Sequence, residues 1–395
     1  MAFNLSIFTL NCWGIPFLSK DVPVRMNAIA NFLAQCSFDV ICLQEVWSNS
    51  DYELIKNRVQ DNLPYSHYFH SGVIGSGLCI FSRYPIIDSL FHQWAVNGYV
   101  HKIQHGDWFG GKGVGLCRIL VGEHHVNVYT AHLHAEYDRE NDEYLAHRVV
   151  QAFDTAQFIK LSSSPHEISV VAGDLNTEPY DNAFHIIKHV PGLHDCQDYK
   201  SEELMTNEAK SNNYRLMTAA SPTAPGKRID FILFKPPQGV SVDVRDFGYA
   251  LPGKVEGTDL SYSDHEALLA VLSINFSMKS DDNKVSEVQT LRVNALEKAI
   301  NVCEEALHDL KQKQLRLTYG VVFTLLALLA THILLPKLLP DGPLATGFNV
   351  VLHLSLLLTE VFLLFMITIW HRMEVNGINA GKLGMQLTLD KLINA

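Results

Sequence analysis

Polar side chains capable of catalysis interrupt this sequence at or near the ends of short apolar runs that predict strands. They are carboxylates, amides and histidines, at Asn11, Glu45, His132, Asp174, Asn176, Asp230, Asp264 and His265. One such position is typical of a turn or a cap, and a Ser-Asp-His stretch like that at 263–265 forms a polar turn in most isolated cases. Recurrence of the pattern along the chain instead predicts a cleft lined by polar groups.

The residue types indicate phosphoester chemistry with a hard metal ion. Carboxylate and amide oxygens without a cluster of thiolates suit Mg²⁺ better than Zn²⁺. A histidine with a carboxylate partner acts as a general base near neutral pH, because the acid orients the imidazole and stabilises its protonated form. A metal ion, a base and amide donors together predict hydrolysis of a phosphoester by activated water.

Short apolar runs up to about residue 276 predict the strands that position these groups. The predicted strands are 5–10, 39–44, 78–82, 115–121, 126–131, 168–173, 228–234 and 267–274. Helical patterns lie between some of the strands, at 24–36, 50–63 and 144–161. Because helices separate only some strands, the pattern predicts a layered α/β domain with antiparallel or mixed sheets rather than a doubly wound parallel sheet.

Net charge and cysteine usage narrow the class of protein. The formal net charge of −11 argues against a dedicated nucleic-acid binder, which usually carries a basic face, although a local groove can oppose the total. The seven cysteines form no CxxC pair. Cys42, Cys79 and Cys117 lie in apolar, strand-like runs, which predicts reduced thiols in a domain that faces the cytosol.

The composition changes after the last predicted strand. Residues 277–287 are polar and predict a linker, and residues 288–316 predict an amphipathic juxtamembrane helix. The apolar residues of this helix follow a heptad-like spacing, at Val293, Leu296, Ile300, Cys303, Leu307 and Leu310. The stripe is shorter than the roughly three to four heptads that a coiled coil needs. Packing on the rest of the chain and a homodimer through the juxtamembrane and transmembrane helices therefore both stay open.

Two long apolar segments predict a transmembrane helical hairpin. Residues 317–336 contain no formally charged residue, and residues 344–370 contain only Glu360. Each is long enough to cross about 30 Å of hydrocarbon. Basic residues flank the pair on its outer side, whereas Lys337 is the only lysine or arginine between the two segments. The positive-inside rule therefore places both termini, the tail at 371–395 and the N-terminal domain in the cytosol, and Glu360 is expected to face the partner helix or another subunit.

Six motifs in this order resemble those of the deoxyribonuclease-I-like endonuclease/exonuclease/phosphatase superfamily over about residues 3–275. They are LNCWG, LQEVW, AHLHAEY, GDLNTEP, RIDFIL and SDHEAL. Within the superfamily, the stretches LNCWGIPFLSK, SGVIGSGLCIFSRYPI and HGDWFGGKGVGLC and the paired membrane helices resemble the neutral sphingomyelinases. The resemblance implies an α/β (α+β) fold, a four-layered α-β-β-α sandwich over residues 1–276 followed by a C-terminal transmembrane helical hairpin.

The resemblance also implies catalytic roles for five motif residues. His265 matches the catalytic histidine, and Asp230 matches the acid that orients it. Asp174 matches the acid that positions or activates the nucleophile and takes part in substrate recognition. Asn176 and His132 match donors to the phosphoryl oxygens, so both also count as substrate-binding residues.

A metal site is implied in the same way. Glu45 matches the ligand of Mg²⁺, for which Mn²⁺ is the expected substitute. Asn11 lies beside it and holds metal-bound water or phosphate, and Asp264 matches a second acid near the metal. The implied reaction is cleavage of sphingomyelin to ceramide and phosphocholine, with lyso-platelet-activating factor and lyso-phosphatidylcholine as further substrates.

Other enzymes of the superfamily stay open as alternatives, namely a membrane-tethered nuclease or an inositol-phosphate phosphatase. The predicted hairpin favours a lipid substrate, because a soluble nuclease gains nothing from two membrane spans. The resemblance thus implies an integral membrane enzyme of the endoplasmic reticulum that has phospholipid substrates and no nucleic-acid partner.

Four further residues each have competing interpretations, one as part of the site and one as ordinary structure. Lys112 either pairs with the substrate phosphate or is a solvated surface lysine. Trp108 and Phe109 either stack on a choline cation or dip into the membrane interface, or else they pack under the glycine-rich loop. His134 either touches substrate or is a polar loop histidine.

Overall fold

The computed structural model describes residues 2–218, 225–276, 285–338 and 342–394. The chain forms two compact units, one of Met1–Ala299 with Thr388–Ala395 and one of Ile300–Leu387. The predicted linker at 277–287 lies, up to residue 284, outside the described residues.

The described part of the first unit contains two six-stranded sheets. Their strands are β1 (Ala2–Asn11), β2 (Val40–Gln44), β3 (Tyr65–Phe69), β4 (Leu78–Ser82), β5 (Ile86–Gln93), β6 (Gly113–Val121), β7 (His124–Ala131), β8 (Ile168–Asp174), β9 (His194–Asp195), β10 (Asp230–Lys235), β11 (Ser241–Tyr249) and β12 (Leu268–Asn275). The strand order is β11-β12-β1-β2-β4-β3 in one sheet and β5-β6-β7-β8-β10-β9 in the other. β1 with β2 and β7 with β8 pair in parallel, and the other pairs are antiparallel, so both sheets are mixed.

Helices flank the sheets and form the C-terminal part of the chain. They are α1 (Val22–Gln35), α2 (Asn49–Val59), α3 (Asp107–Gly110), α4 (Leu145–Ser162), α5 (Asn182–His189), α6 (Arg215–Thr218), α7 (Val285–Leu338), α8 (Pro343–Phe365) and α9 (His371–Ile393). Short 3₁₀ segments occur at Ile103–His105 and Cys196–Tyr199, and a π-helical turn at Met366–Trp370 joins α8 to α9.

Three apolar layers hold the first unit together. Side chains from both sheets meet in one buried core, which includes Leu5, Val128 and Leu272. A second cluster fills the space between α1, α2 and the outer face of the first sheet. α5 covers the second sheet, where the Phe184 ring stacks on Phe231 at 4.6 Å between centroids. The unit is therefore the α-β-β-α sandwich that the sequence motifs imply.

The second unit is helical. α7 runs without a break through the predicted juxtamembrane helix and the predicted first span, and α8 begins one residue before the predicted second span. By length and apolar composition, Val288–Leu338 and Pro343–Ile393 are candidate membrane spans. Glu360 on α8 is buried within the chain.

Candidate active site

Strand pairing brings the predicted site residues to one end of the sandwich. β1 and β2 run in parallel and end side by side, so Glu45 follows next to Asn11. In the second sheet, His132 and Asp174 form a parallel bridge just beyond the paired ends of β7 and β8. β10 runs antiparallel to β8 with Asp230 opposite Asp174. Polar groups from both sheets therefore gather at the same edge.

His265 lies between two carboxylates. Its Nδ1 donates a hydrogen bond to Asp230 Oδ2 at 2.8 Å, and its Nε2 lies 3.9 Å from Asp174 Oδ2. Burial lowers the pKa of an imidazole, but here the charges of Asp230 and Asp264 outweigh burial and raise the pKa of His265 well above its usual value. This is the geometry in which an acid orients a histidine base and leaves the second ring nitrogen free for proton transfer.

Asp174 contacts several other polar groups of the cluster. Its Oδ2 accepts a hydrogen bond from Asn11 Nδ2 at 2.9 Å, across the two sheets, and lies 3.5 Å from His132 Nε2. Its Oδ1 accepts a hydrogen bond from the backbone N–H of Asn176 at 2.9 Å. Burial, together with the charge of Asp230, raises the pKa of Asp174 to about 6.

Glu45 has one carboxylate oxygen without a hydrogen-bond partner. Its Oε1 accepts a hydrogen bond from Asn11 Nδ2 at 3.0 Å, whereas Oε2 is buried and has no partner among the described residues. The Glu45 backbone is left-handed, with φ of 56°, which is uncommon for a residue other than glycine. Burial raises the pKa of Glu45, and burial also raises the pKa of Asp264 to about 6.

Lys112 is buried in the polar cluster, with 4% of its surface exposed, so its reading as a solvated surface lysine is wrong. Its Nζ lies 2.5 Å from Asp107 Oδ1. The same nitrogen lies 3.1 Å from His132 Nε2 and 3.2 Å from the carbonyl oxygen of Leu133. All three ammonium protons therefore have partners on the protein. Burial and the charge of Lys112 lower the pKa of His132 well below its usual value, so this imidazole is neutral.

A cleft of about 360 Å³ opens over these groups. The predicted residues that line it are Glu45, Lys112, His132, Asp174, Asn176, Asp264 and His265. Asn11 and Asp230 are buried behind this lining and reach the cleft through the side chains to which they are hydrogen bonded. Asn176 has a left-handed backbone, with φ of 44°, and its Nδ2 donates a hydrogen bond to the Leu133 carbonyl at 3.0 Å.

The remaining residues with two readings lie outside the cleft lining. The His134 ring is buried and stacks on Tyr144 at 3.9 Å between centroids. Burial lowers the pKa of His134 to about 3. Trp108 and Phe109 contact each other edge to face at 5.1 Å. These positions favour packing roles over contact with a ligand in the cleft.

Comparison with known proteins agrees with the architecture. Residues 8–265 match a sequence model of the endonuclease/exonuclease/phosphatase family. The chain belongs to this family. The match ends at His265, so it contains every predicted site residue.

Within the family the chain groups with the neutral sphingomyelinases. It is 46% identical over 296 residues to a Drosophila melanogaster protein that bears the provisional name neutral sphingomyelinase, an alignment covering 75% of this chain and 66% of that protein. It is 40% identical over 285 residues to sphingomyelin phosphodiesterase 2 of Rattus norvegicus, covering 71% and 67%. The crystal structure of sphingomyelinase C from Streptomyces griseocarneus shares the fold, with a TM-score of 0.52 at 19% identity over 68% of this chain and 99% of that one.

One residue that supports the family site is absent from the motifs. Arg25 on α1 is fully buried, and its guanidinium donates to the carbonyl oxygens of Cys12 at 2.7 Å, Trp13 at 2.6 Å and Tyr262 at 3.2 Å. These carbonyls belong to the segment after β1 and the segment before His265. Arg25 therefore links the backbone segment that follows Asn11 to the segment that precedes Asp264 and His265. Its sequence signal is a charged residue on the apolar face of an amphipathic helix.

The acidic cluster fits a divalent cation. Ligand atoms of Asp174, Asp230 and His265 lie within 4.8 Å of one another, but the hydrogen bond between His265 and Asp230 already uses part of this group. Glu45 Oε2, by contrast, is buried without a partner among the described residues. An oxygen-rich donor set with an unsatisfied carboxylate oxygen suits Mg²⁺.

Proposed function

We propose that the protein is a magnesium-dependent neutral sphingomyelinase, a phosphodiesterase that hydrolyses sphingomyelin to ceramide and phosphocholine. The observation that carries the proposal is His265, whose Nδ1 is bonded to Asp230 at 2.8 Å while Nε2 faces Asp174 in the cleft beside Glu45. The similarity to proteins named as sphingomyelinases supports the choice of substrate.

His265 acts as the general base. Because Asp230 holds Nδ1, the nitrogen that takes a proton from water is Nε2. The water oxygen forms a bond to phosphorus, and the bond between phosphorus and the ceramide oxygen breaks, after which that oxygen takes up a proton. Asp230 and Asp264 stabilise the imidazolium, which is the physical meaning of the raised pKa of His265.

Glu45 and Asp264 are the carboxylates that would hold the metal ion, and Asn11 orients Glu45. When bound there, Mg²⁺ supplies positive charge that offsets the negative charge of the phosphoryl and leaving oxygens. His132 and Asn176 line the same cleft and are assigned to the phosphoryl oxygens. Lys112 adds positive charge to this side of the cleft, while its protons stay on protein groups.

The test is release of phosphocholine from sphingomyelin vesicles with Mg²⁺ or with EDTA. We expect turnover with Mg²⁺, none with EDTA and none with Glu45→Gln at the same Mg²⁺ concentration. Lyso-platelet-activating factor and lyso-phosphatidylcholine carry the same headgroup and are proposed as further substrates. Plasmid DNA and inositol phosphates are tested as alternative substrates, and cleavage of either faster than that of sphingomyelin would overturn the proposed substrate class.

The proposal includes a two-span anchor in the endoplasmic reticulum with the catalytic domain and both termini in the cytosol. It rests on the candidate spans and on the basic residues Lys311, Lys313, Arg316 and Arg372, which flank the apolar segments 317–336 and 344–370 within those helices. A tag after residue 395 should be cleaved by protease added outside sealed microsomes. Protection of the tag would contradict the orientation.

A further inference from the structure

Three loops around the mouth of the cleft carry large apolar side chains into solvent. Phe17 and Leu18 lie on the loop between β1 and α1, and Phe17 is fully exposed. Val73 and Ile74 lie on the loop between β3 and β4, with Val73 74% exposed. Ile103, which begins the 3₁₀ segment before α3, is 71% exposed. Large apolar side chains exposed on several loops beside one cleft favour an interaction surface over ordinary surface composition.

The first loop is built to hold its apolar tip outwards. Its base is closed by reciprocal hydrogen bonds, in which the Ile15 N–H donates to Ser19 Oγ and the Ser19 N–H donates to the Ile15 carbonyl, both at 3.0 Å. Phe17 at the tip is left-handed, with φ of 67°, an outlier for a bulky residue. An exposed phenylalanine in a strained backbone has no packing reason within the described residues, which points to a partner outside the chain.

The second loop is held in place by backbone contacts. The N–H groups of Val73 and Ile74 both donate to the Phe109 carbonyl, at 2.8 Å and 3.2 Å. Gly72 has φ of 56°, and a Cβ there would lie 2.7 Å from the Gly111 nitrogen. Only glycine permits this close approach, so the loop is anchored to the segment around α3 rather than free to fold back over its apolar side chains.

Each of the three loops contributes one apolar side chain to the lining of the cleft that holds His265. Leu18, Ile74 and Ile103 line its mouth, together with the catalytic groups at its floor. The loop segments 14–19 and 71–76 contain no formally charged residue. Two uncharged apolar loop tips and Ile103 beside a polar cleft match the layered chemistry of a lipid surface, where hydrocarbon lies beneath the phosphodiester headgroups.

We propose that Phe17, Leu18, Val73, Ile74 and Ile103 form a rim that inserts into the boundary between headgroups and acyl chains, so that the cleft opens onto the bilayer. A lipid surface is favoured over a protein because the apolar residues sit on three separate loop tips, and because the same chain carries two candidate spans. The benefit to catalysis rests on the proposed function, whereas insertion itself is measured without turnover.

The test of insertion uses the full chain reconstituted in phosphatidylcholine vesicles that contain no sphingomyelin. An environment-sensitive fluorophore is attached to Phe17→Cys or Val73→Cys in a Cys36→Ser background. The matched control is Leu161→Cys, because Leu161 is 82% exposed but lies at the end of α4 and does not line the cleft. We expect blue-shifted emission and quenching by acyl-chain-labelled lipid at positions 17 and 73, and neither at position 161.

Equal, water-like emission at all three positions would overturn the proposal whether or not the protein hydrolyses sphingomyelin. A second copy of the protein could also shift the emission at positions 17 and 73. In that case labelled lipid would not quench the fluorophore, and the blue shift would disappear at one protein copy per vesicle. That result would assign the rim to contact between copies and would overturn the proposal.

A second arm links the rim to turnover. The measured quantity is turnover on vesicles divided by turnover on a short-chain, water-soluble choline phosphodiester. The double variant Phe17→Ser with Val73→Ser should lower this ratio by about tenfold or more, because two large apolar side chains no longer enter the bilayer. Leu161→Ser should leave this ratio unchanged. A double variant with the wild-type ratio would contradict the proposed role, and the fluorescence result decides insertion independently.

Discussion

Asn11 Nδ2 joins the two sheets of the sandwich at the active site, because it lies 2.9 Å from Asp174 Oδ2 and 3.0 Å from Glu45 Oε1. An amide nitrogen has two protons, so it donates one to each carboxylate. Asn11 therefore fixes the position of Glu45, the carboxylate assigned to the metal, relative to Asp174, the carboxylate next to His265 Nε2. This arrangement predicts that the metal requirement and the chemical step depend on the same amide.

Asn11→Ala should weaken metal binding and lower turnover together. Loss of a hydrogen-bonding group behind a ligand changes metal affinity by about 10- to 100-fold, so the Mg²⁺ concentration for half-maximal turnover should rise within this range. The stabilisation of the folded protein by Mg²⁺ in thermal unfolding should fall in parallel. A variant with the wild-type Mg²⁺ dependence in both measurements would remove Asn11 from the metal site.

Asp230→Asn tests the orienting role of Asp230. An amide in this place can present a donor to His265 Nδ1, which removes the proton from that nitrogen and places it on Nε2, where it blocks proton uptake. We expect kcat to fall by about 10²- to 10⁴-fold with little change in KM. Asp243→Asn is the matched control, because Asp243 is exposed on β11. An effect confined to KM would show that Asp230 acts on binding rather than on the base.

Arg25→Met tests the buried guanidinium. The change leaves the carbonyl oxygens of Cys12, Trp13 and Tyr262 without their donor, and each buried acceptor left unsatisfied destabilises a protein by about 1–3 kcal/mol. The unfolding midpoint of the catalytic domain, followed by tryptophan fluorescence in detergent, should fall accordingly. Arg25→Lys should recover only part of the loss, because one ammonium cannot match the planar guanidinium. Unfolding of Arg25→Met at the wild-type midpoint would contradict this assignment.

His189 at the end of α5 predicts a pH dependence of stability. Burial, with the charges of His185 and Lys188 nearby, lowers the pKa of His189 to about 4. Between the ordinary pKa of about 6.5 and this value, the unfolded chain binds more protons than the folded one, so stability falls as the pH drops through this window. His189→Gln should reduce the slope of unfolding free energy against pH between 6.5 and 4. An unchanged slope would show that His189 is protonated equally in both states.

The strands that sequence patterning predicted are the interior strands of the two sheets. β3, β5, β9 and β11, which it did not predict, are the four edge strands of the described sheets. Interior strands are covered on both sides by neighbours and read as continuous apolar runs, whereas β5 at its edge is largely exposed and reads as an irregular mixture. The mixed pairing of the sheets follows the prediction, but the edges carry too weak a pattern to be recognised.

The site was predictable where its residues lie in strand-end motifs and unpredictable where packing decides. Asp174, Asp230 and His265 stand in such motifs; strand register pairs Asp230 with Asp174, and a hydrogen bond joins His265 to Asp230. Sequence alone left two readings for Lys112, since its ion pair with Asp107 depends on how the glycine-rich segment folds back into the cleft. Arg25 could have been suspected from its place on an apolar helix face, but its carbonyl partners are set by tertiary structure.

Hydrolysis of sphingomyelin in ¹⁸O-labelled water tests the central claim most directly, because the claim is that His265 activates water for attack on phosphorus. In a single turnover with Mg²⁺, the label should appear in phosphocholine and not in ceramide. His265→Ala should release labelled phosphocholine at least about 10²-fold more slowly while keeping the wild-type unfolding midpoint. Label in ceramide, or near-normal turnover by His265→Ala, would contradict the account.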